Sequence, residues 1–376
     1  MRAWAWMRTN LFNGWWNTLL TLLTGAGIFL LGKAVLLWAL SEARWAVIPN
    51  NFRLFMVGPF PPEAVWRVWL VVLETTVLGG LSYGVLAQGL PRAWRAFWGG
   101  ALLLAVLLWP LVFPATWAWA VATAAALPGA IWAGARLRGL RPYLPLLWLL
   151  GLFAAGALLS GVNTNLWGGL LLTLLITLLT VVLSFPLGLL LALGRTSRLP
   201  AIRILATLYI ETVRGVPLVS VLFLAWIMVP LFVPEAWRPP QLVRVIAGFT
   251  LFAAAYLAEY IRGGLQGVPK GQYEAAWALG LNGFQTAYYI ILPQAIRSVI
   301  PALIGQVIAI FKDTSLVAIV GLLDLLGIAQ SVLANPNYLG LEREVYLFLL
   351  VVYFIGAGLM SYASRQLERA MGLGTR

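Results

Sequence analysis

The chain has 376 residues, 62% of them hydrophobic and only 10% charged, against roughly half and a quarter in a soluble domain. That excess cannot be hidden in one globular core and indicates a membrane protein with many spans. No Cys and no His are present, which excludes disulfides, thiolate metal sites and the commonest general base, so no metal site is expected, and the formal charge of +13 is read as Arg and Lys anchoring loops on one membrane side, with no nucleic-acid partner.

In chain order, apolar runs predict an all-α polytopic protein with about ten transmembrane helices. Their cores fall at 15–40, 67–88, 98–114, 116–135, 143–160, 166–194, 204–233, 244–262, 296–322 and 345–363. The first run follows Arg2 and Arg8 but is too long for a signal peptide and lacks a cleavage site, so it reads as an uncleaved span. Within it, "GIFLLGKA" (27–34) imitates a phosphate-binding loop; Ala34 stands where Ser or Thr would be needed, and the apolar span is the wrong context. Lys33 can reach an interface by its long side chain, and Glu74 is expected to face the bundle. Residues 41–66 form the longest outer loop of the first region. The break at 114–116 rests on Pro114 alone. Residues 1–160 are Trp- and Leu-rich and read as an N-terminal extension of about five spans. Residues 161–366 carry ordered polar motifs, and 367–376 form a tail. With the N-terminus inside, sixteen Arg and Lys residues fall in inner segments and six in outer ones, which predicts both termini in the cytoplasm and places 263–295 there too.

An ionised side chain at mid-bilayer costs roughly 2.5–3.5 kcal/mol, so each buried charge needs a reason. Glu211 and Arg214 are spaced to meet on one helix face, and Pro217 is expected to loosen the helix beside them. Lys312-Asp313-Thr314-Ser315 places a charge pair and two hydroxyls in an apolar run. These seven residues either line a substrate path or gate, or pair structurally to lock helix register; both readings stay open. Glu259 and Arg262 repeat the spacing near the inner boundary, where a structural pair is favoured.

The run "EAAWALGLNGFQTAYYIILPQ" (274–294) is different. Gly271 and Gln272 follow Val-Pro-Lys, a helix start. Glu274 is expected in the first turn, where a carboxylate suits the positive helix end. Ala275, Ala276 and Ala278 propagate a helix, and Gly280 or Gly283 can end it. About ten residues reach roughly 15 Å, half a bilayer. A surface helix is predicted, either a docking element or a plain interfacial connector.

The spacing E-A-A, three residues, Gly280, nine residues, Ile290-x-Leu292-Pro293 resembles the EAA loop of ABC importer permeases. The words "YIETVRGVPLVSVLF" (209–223), "SFPLGLLLALGRTSRLP" (184–200), "EYIRGGLQGVPKGQYEAAWALGLN" (259–282) and "ILPQAIRSVIPALIGQVIAIFKDTSLVAIVG" (291–321) resemble the polar amino-acid branch of that family. The resemblance covers about 166–365 and implies the type I ABC importer permease fold for the C-terminal half. It implies that Tyr273, Glu274, Ala275, Ala276, Gly280, Leu292 and Pro293 couple the spans to a separate ATPase subunit, which would bind ATP and Mg. Trp277 departs from the family, which usually carries Arg there, and this bears on one polar contact to the ATPase. The N-terminal extension resembles the larger permease of general L-amino-acid importers. Implied partners are the ATPase, a second permease subunit (identical or homologous), an extracytoplasmic solute-binding protein, the lipid bilayer and an amino-acid substrate; this chain would bind no cofactor. The implied place is a bacterial inner membrane. No H-E-x-x-H, G-x-S-x-G or thiol nucleophile occurs, so the chain is not expected to be an enzyme. Two alternatives remain: a membrane enzyme acting on lipid-linked substrates, and a non-transporting scaffold or receptor subunit.

Overall fold

Backbone N–H and C=O groups find no water in hydrocarbon, so an apolar chain crosses a bilayer as helix or closed barrel. This chain uses helices. The computed structural model describes residues 2–86 and 117–370. Among them, 8 helices are long and apolar enough to span, or 9 when a bent pair is taken as one span. The predicted span 98–114 and the break at 114–116 lie outside the described residues, as does 371–376 of the predicted tail. No strand occurs among the described residues beyond a single bridge from Gly169 to Asp324.

The first region holds α1 (Arg2–Asn10), α2 (Trp15–Ser41), the short α3 (Val47–Asn50) and α4 (Phe52–Val57), α5 (Val65–Leu86), α6 (Trp117–Arg136) and α7 (Leu144–Leu159). The second holds α8 (Gly169–Arg195), α9 (Pro200–Arg214), α10 (Leu218–Phe232), α11 (Gln241–Gln266), α12 (Lys270–Ala278), α13 (Gly283–Val320), α14 (Leu325–Leu333) and α15 (Glu342–Ala370). Helix α2 is apolar on every side and buries none of its residues; Lys33 is exposed on it. Glu74 turns inward onto Gly151, beside a cavity of about 300 Å³ between α5, α7 and α8.

Lipid tails are as apolar as Leu, so helices here associate through close packing rather than by escaping water. Small residues supply it. Along α8, Thr173, Thr177, Thr180, Ser184, Gly188 and Ala192 are buried in one stripe. Against it, α11 buries Ala254, Leu257 and Ala258, and a Cβ on Gly188 would lie 2.7 Å from that of Leu257. On the next face of α11, Gly264 lets the Ala295 carbonyl of α13 approach to 2.5 Å of where a Cβ would sit. The first region repeats the device: Gly84 of α5 and Gly134 of α6 each touch the other helix's backbone.

The two regions are sewn together at one end of the bundle. Phe55 and Val47 are buried with Leu325, Ile328, Val332 and Val345, and the Phe55 ring lies 5.1 Å from that of Phe348. Gly58 (φ 66°) lies against Gly168, and Gly169 (φ 60°) against the Phe55 carbonyl. The Gly169 N–H donates to the Leu323 carbonyl at 2.8 Å. Within 41–66, expected as an outer loop, Val47, Phe55, Val57 and Phe60 are buried while Asn50 and Arg53 stay exposed.

Three other expectations change. The run 204–233 is no straight span: α9 and α10 meet at 103°, because Gly215 ends one helix and Pro217 caps the next. Pro217 opens a new helix rather than loosening an old one. The span expected at 296–322 begins at Gly283, where Asn282 and Gln285 form a capping box. Beyond this span, α14 is largely buried.

Replacing Gly58 by Val combines a left-handed φ with a Cβ 2.4 Å from the Gly168 Cα. We expect this to destabilise the protein by about 2–5 kcal/mol. Gly129→Ala, whose Cβ meets nothing within 4 Å, should be neutral. Thermal unfolding of the detergent-purified protein separates the two.

Candidate functional site

The corner between α9 and α10 aims the end of α9 at α8 and α11, and a charged hub forms there. Arg195, the last residue of α8, forms ion pairs with Glu211 at 2.7 Å and Glu259 at 2.9 Å. Arg214 reaches Glu259 at 3.4 Å and lies 5.5 Å above the Tyr256 ring. Arg262 makes a two-pronged contact, Nε to Oε1 at 3.0 Å and Nη2 to Oε2 at 2.9 Å of Glu259. Three guanidinium groups thus share two carboxylates. Glu259 is the hub, with its side chain 15% exposed, whereas Glu211 is 55% exposed.

The expected Glu211–Arg214 pair does not form: each residue bonds a different helix instead. The Glu259–Arg262 pair does form, but as the centre of a larger network. Arg195 was expected only as a loop anchor. Its partners lie 16 and 64 positions away in the chain, so no local spacing rule could find them; its place in the last turn of α8 was the available signal.

Lys312 and Asp313 make no ion pair with each other among the described residues, as successive helix positions do not face one another. Lys312 is exposed and Asp313 half-buried. Thr314 is buried and donates to the Phe311 carbonyl at 2.7 Å, and Ser315 donates to that of Lys312 at 2.8 Å. Here α13 tightens from α to 3₁₀ helix, which Gly321 ends at φ 80°. Gly264 lies against the Ala295 backbone, which sets Glu259 level with about residue 300 of α13, so Lys312 lies roughly 18 Å beyond the hub's level. The structure keeps the two candidate groups apart.

A third polar cluster went unnoticed in the sequence. Asp324 is fully buried and caps α14, accepting from the N–H groups of Leu326 at 3.2 Å and Gly327 at 2.9 Å. The Tyr353 hydroxyl donates to it at 3.4 Å, and Thr173 Oγ1 accepts from the Leu325 N–H at 3.2 Å. This joins α8, α14 and α15. Asp followed three residues later by Gly in an apolar run was the readable trace. Burial pushes Asp324 up to about 6, outweighing the donors around it.

At the opposite end, α12 has nine residues, roughly 14 Å. It starts at Lys270, so Glu274 falls in the second turn, not the first. Gly280 follows it at φ 76°. Tyr273 packs on Val268, Ile291 and Ala295, and Ala276 is buried; Gln294 donates to Gln272 at 3.1 Å. Glu274, Ala275, Gly280 and Pro293 face outward. Leu292 is half-buried inside continuous helix, preceded by a wide π turn over 286–291. Trp277 (53% exposed), Leu279 (79%) and Phe284 (75%) are exposed apolar side chains on and just after α12.

Two outcomes follow. Glu259→Gln removes the charge that three guanidinium groups share and leaves only Arg195 with an ion pair of this network, so it should lower the melting temperature more than Glu211→Gln. Raising salt from about 0.05 to 0.5 M should abolish the Glu211 effect and spare most of the Glu259 effect, because screening reaches exposed charges first. For Asp324, a raised carboxylate pKa means the folded state holds the proton more tightly than the unfolded one. That contribution is full below the usual carboxylate range and is lost as pH rises through about 6. Asn caps helices as well as Asp. Asp324→Asn should therefore match or exceed the native protein's melting temperature at pH 7 and lose that advantage near pH 4; parallel curves would contradict the assignment.

The model of the family described as "binding-protein-dependent transport system inner membrane component" matches residues 184–372. The chain is 37% identical to the inner membrane amino-acid ABC transporter permease protein YhdY of Escherichia coli, over 99% of this chain and 94% of that one. It is 35% identical to the glutamate/glutamine/aspartate/asparagine transport system permease protein BztC of Rhodobacter capsulatus, over 97% of this chain and 93% of the relative. The probable glutamine ABC transporter permease protein GlnP of Bacillus subtilis is 32% identical but covers 54% of this chain and 92% of its own length. Helices, polar motifs and full-length similarity agree: the chain belongs to the binding-protein-dependent transport system inner membrane components and is a multi-pass ABC importer permease subunit.

Proposed function

We propose that this permease moves polar L-amino acids into the cytoplasm, driven through α12 by ATP hydrolysis on a separate ATPase subunit. The observation that carries the coupling is α12 itself. It is too short to cross a bilayer, is held to α13 by Tyr273, and presents Glu274, Ala275 and Trp277 outward. The amino-acid class rests on the names of the two full-length relatives.

In this reading the Arg195 end of the bundle is cytoplasmic and the Asp324 end faces outward, as the Arg and Lys tally favours. ATP and Mg sit on the ATPase. A second permease subunit, identical or homologous, completes the pathway, and an extracytoplasmic binding protein delivers substrate. The α8–α11 pair moves as one body while α12 is pushed, giving alternating access. Glu211, Arg214 and Pro217 act at the inner gate, and Lys312, Asp313, Thr314 and Ser315 offer polar groups further out. At Trp277 the ATPase contact is aromatic, so buried area replaces a charged hydrogen bond.

The test is uptake of radiolabelled amino acids by the reconstituted complex. Glu274→Lys combined with Gly280→Pro, which cannot adopt the left-handed cap, should lower ATP-driven uptake at least about tenfold. Undiminished uptake would remove α12 from the coupling.

A further inference from the structure

The first region reaches the Asp324 end through residues 42–61, and the packing there is fixed rather than loose. The Arg44 N–H donates to the buried carboxylate of Glu344 at 2.9 Å, and Arg53 Nη1 to the Phe60 carbonyl at 2.7 Å. Gly58 and Gly169 bring the two regions into backbone contact. Ile48 from the first region and Tyr338 from the second pack on one buried cluster. This composite cap exposes polar groups from both regions, Asn50 and Arg53 from the first with Gln330, Asn335 and Asn337 from the second, beside two exposed apolar side chains, Trp45 and Leu339. Lipid does not solvate such polar groups. The cap also lies at the end of the bundle opposite α12.

GlnP of Bacillus subtilis and GltK of Escherichia coli match only 54% and 53% of this chain while covering over nine-tenths of their own length. The half of the cap built from 42–61 is thus an addition to the permease core, rigidly continuous with the surface around α14.

We propose that this composite cap is a docking surface for the solute-binding protein, with Asn50 and its neighbours supplying contacts that a permease without the extension lacks. The first region then acts in partner recognition and is more than a membrane anchor. The partner face it fits is polar and hydrogen-bonding, since Arg44, Arg53, Glu42 and Glu63 leave 42–63 without net charge. This rests on the importer reading and on the outward orientation of the Asp324 end.

The chain contains no Cys, so single cysteines report cleanly. Asn50→Cys and Asn337→Cys, each carrying a photoactivatable benzophenone, would be assembled with the ATPase and second permease subunit in vesicles. The binding protein encoded with them would be added, loaded from a mixture of L-amino acids. Both positions should crosslink to it, and Asn50→Trp should raise the binding-protein concentration needed for half-maximal uptake about tenfold. Crosslinking from Asn337 but not Asn50, or from Asn50 only to lipid or to the second permease, overturns the proposal while leaving the importer reading intact. Labelling of Asn50→Cys only from the cytoplasmic side overturns both.

Discussion

Everything in this molecule depends on how closely α8 and α11 approach. Inside a bilayer no hydrophobic force pushes helices together, so stability comes from dispersion contacts and from backbone polar groups satisfied within each helix. The stripe from Thr173 to Ala192 and the Ala254–Ala258 face are small for that reason. Larger side chains would part the helices. The separation then sets the distance across which Arg195 must reach Glu259. Packing and ion pairing are one arrangement: the hub exists because the small residues bring its members within reach.

The hub and the Asp324 cluster divide the work between the two ends of that pair. At one end, three guanidinium groups hold α8, α9 and α11 through Glu259. At the other, Asp324, Thr173 and Tyr353 hold α8, α14 and α15. Both clusters satisfy polar groups that would be costly alone in an apolar phase. One is ionic and partly wet; the other is built from hydroxyls, backbone N–H groups and a single carboxyl. A change at one membrane face therefore meets different chemistry from a change at the other.

Much of this was legible in the sequence. Long apolar runs declare spans because nothing else tolerates them, and Pro269 and Gly280 punctuate α12 plainly enough to fix it within a residue or two. The Glu259–Arg262 pair was readable from its spacing. What could not be read was relation at a distance. Arg195 finds Glu259 only after two helices have folded back on each other. The run 204–233 is apolar enough to look like one span, and hydropathy carries no information on direction, so the corner at Gly215–Pro217 was invisible. Residues 41–66 read as an outer loop because no apolar run in them is long enough to span, although Val47, Ile48, Phe52, Leu54, Phe55, Met56, Val57 and Phe60 are apolar; the fold decides which of these are buried. Asp324 was passed over because a lone acid between spans ordinarily reads as exposed.

Helix α13 runs unbroken from beside the coupling segment to beside Asp324, yet it is not wound uniformly. It begins with a π turn at Thr286–Ile291 and ends with a 3₁₀ turn at Thr314–Val320. The first is underwound relative to an α-helix and the second overwound. Such departures are of opposite sign, and exchanging a wide turn for a regular one at either end rotates the middle about its own axis without breaking the rod. Torsion about its own axis is therefore a deformation that the winding of this helix admits.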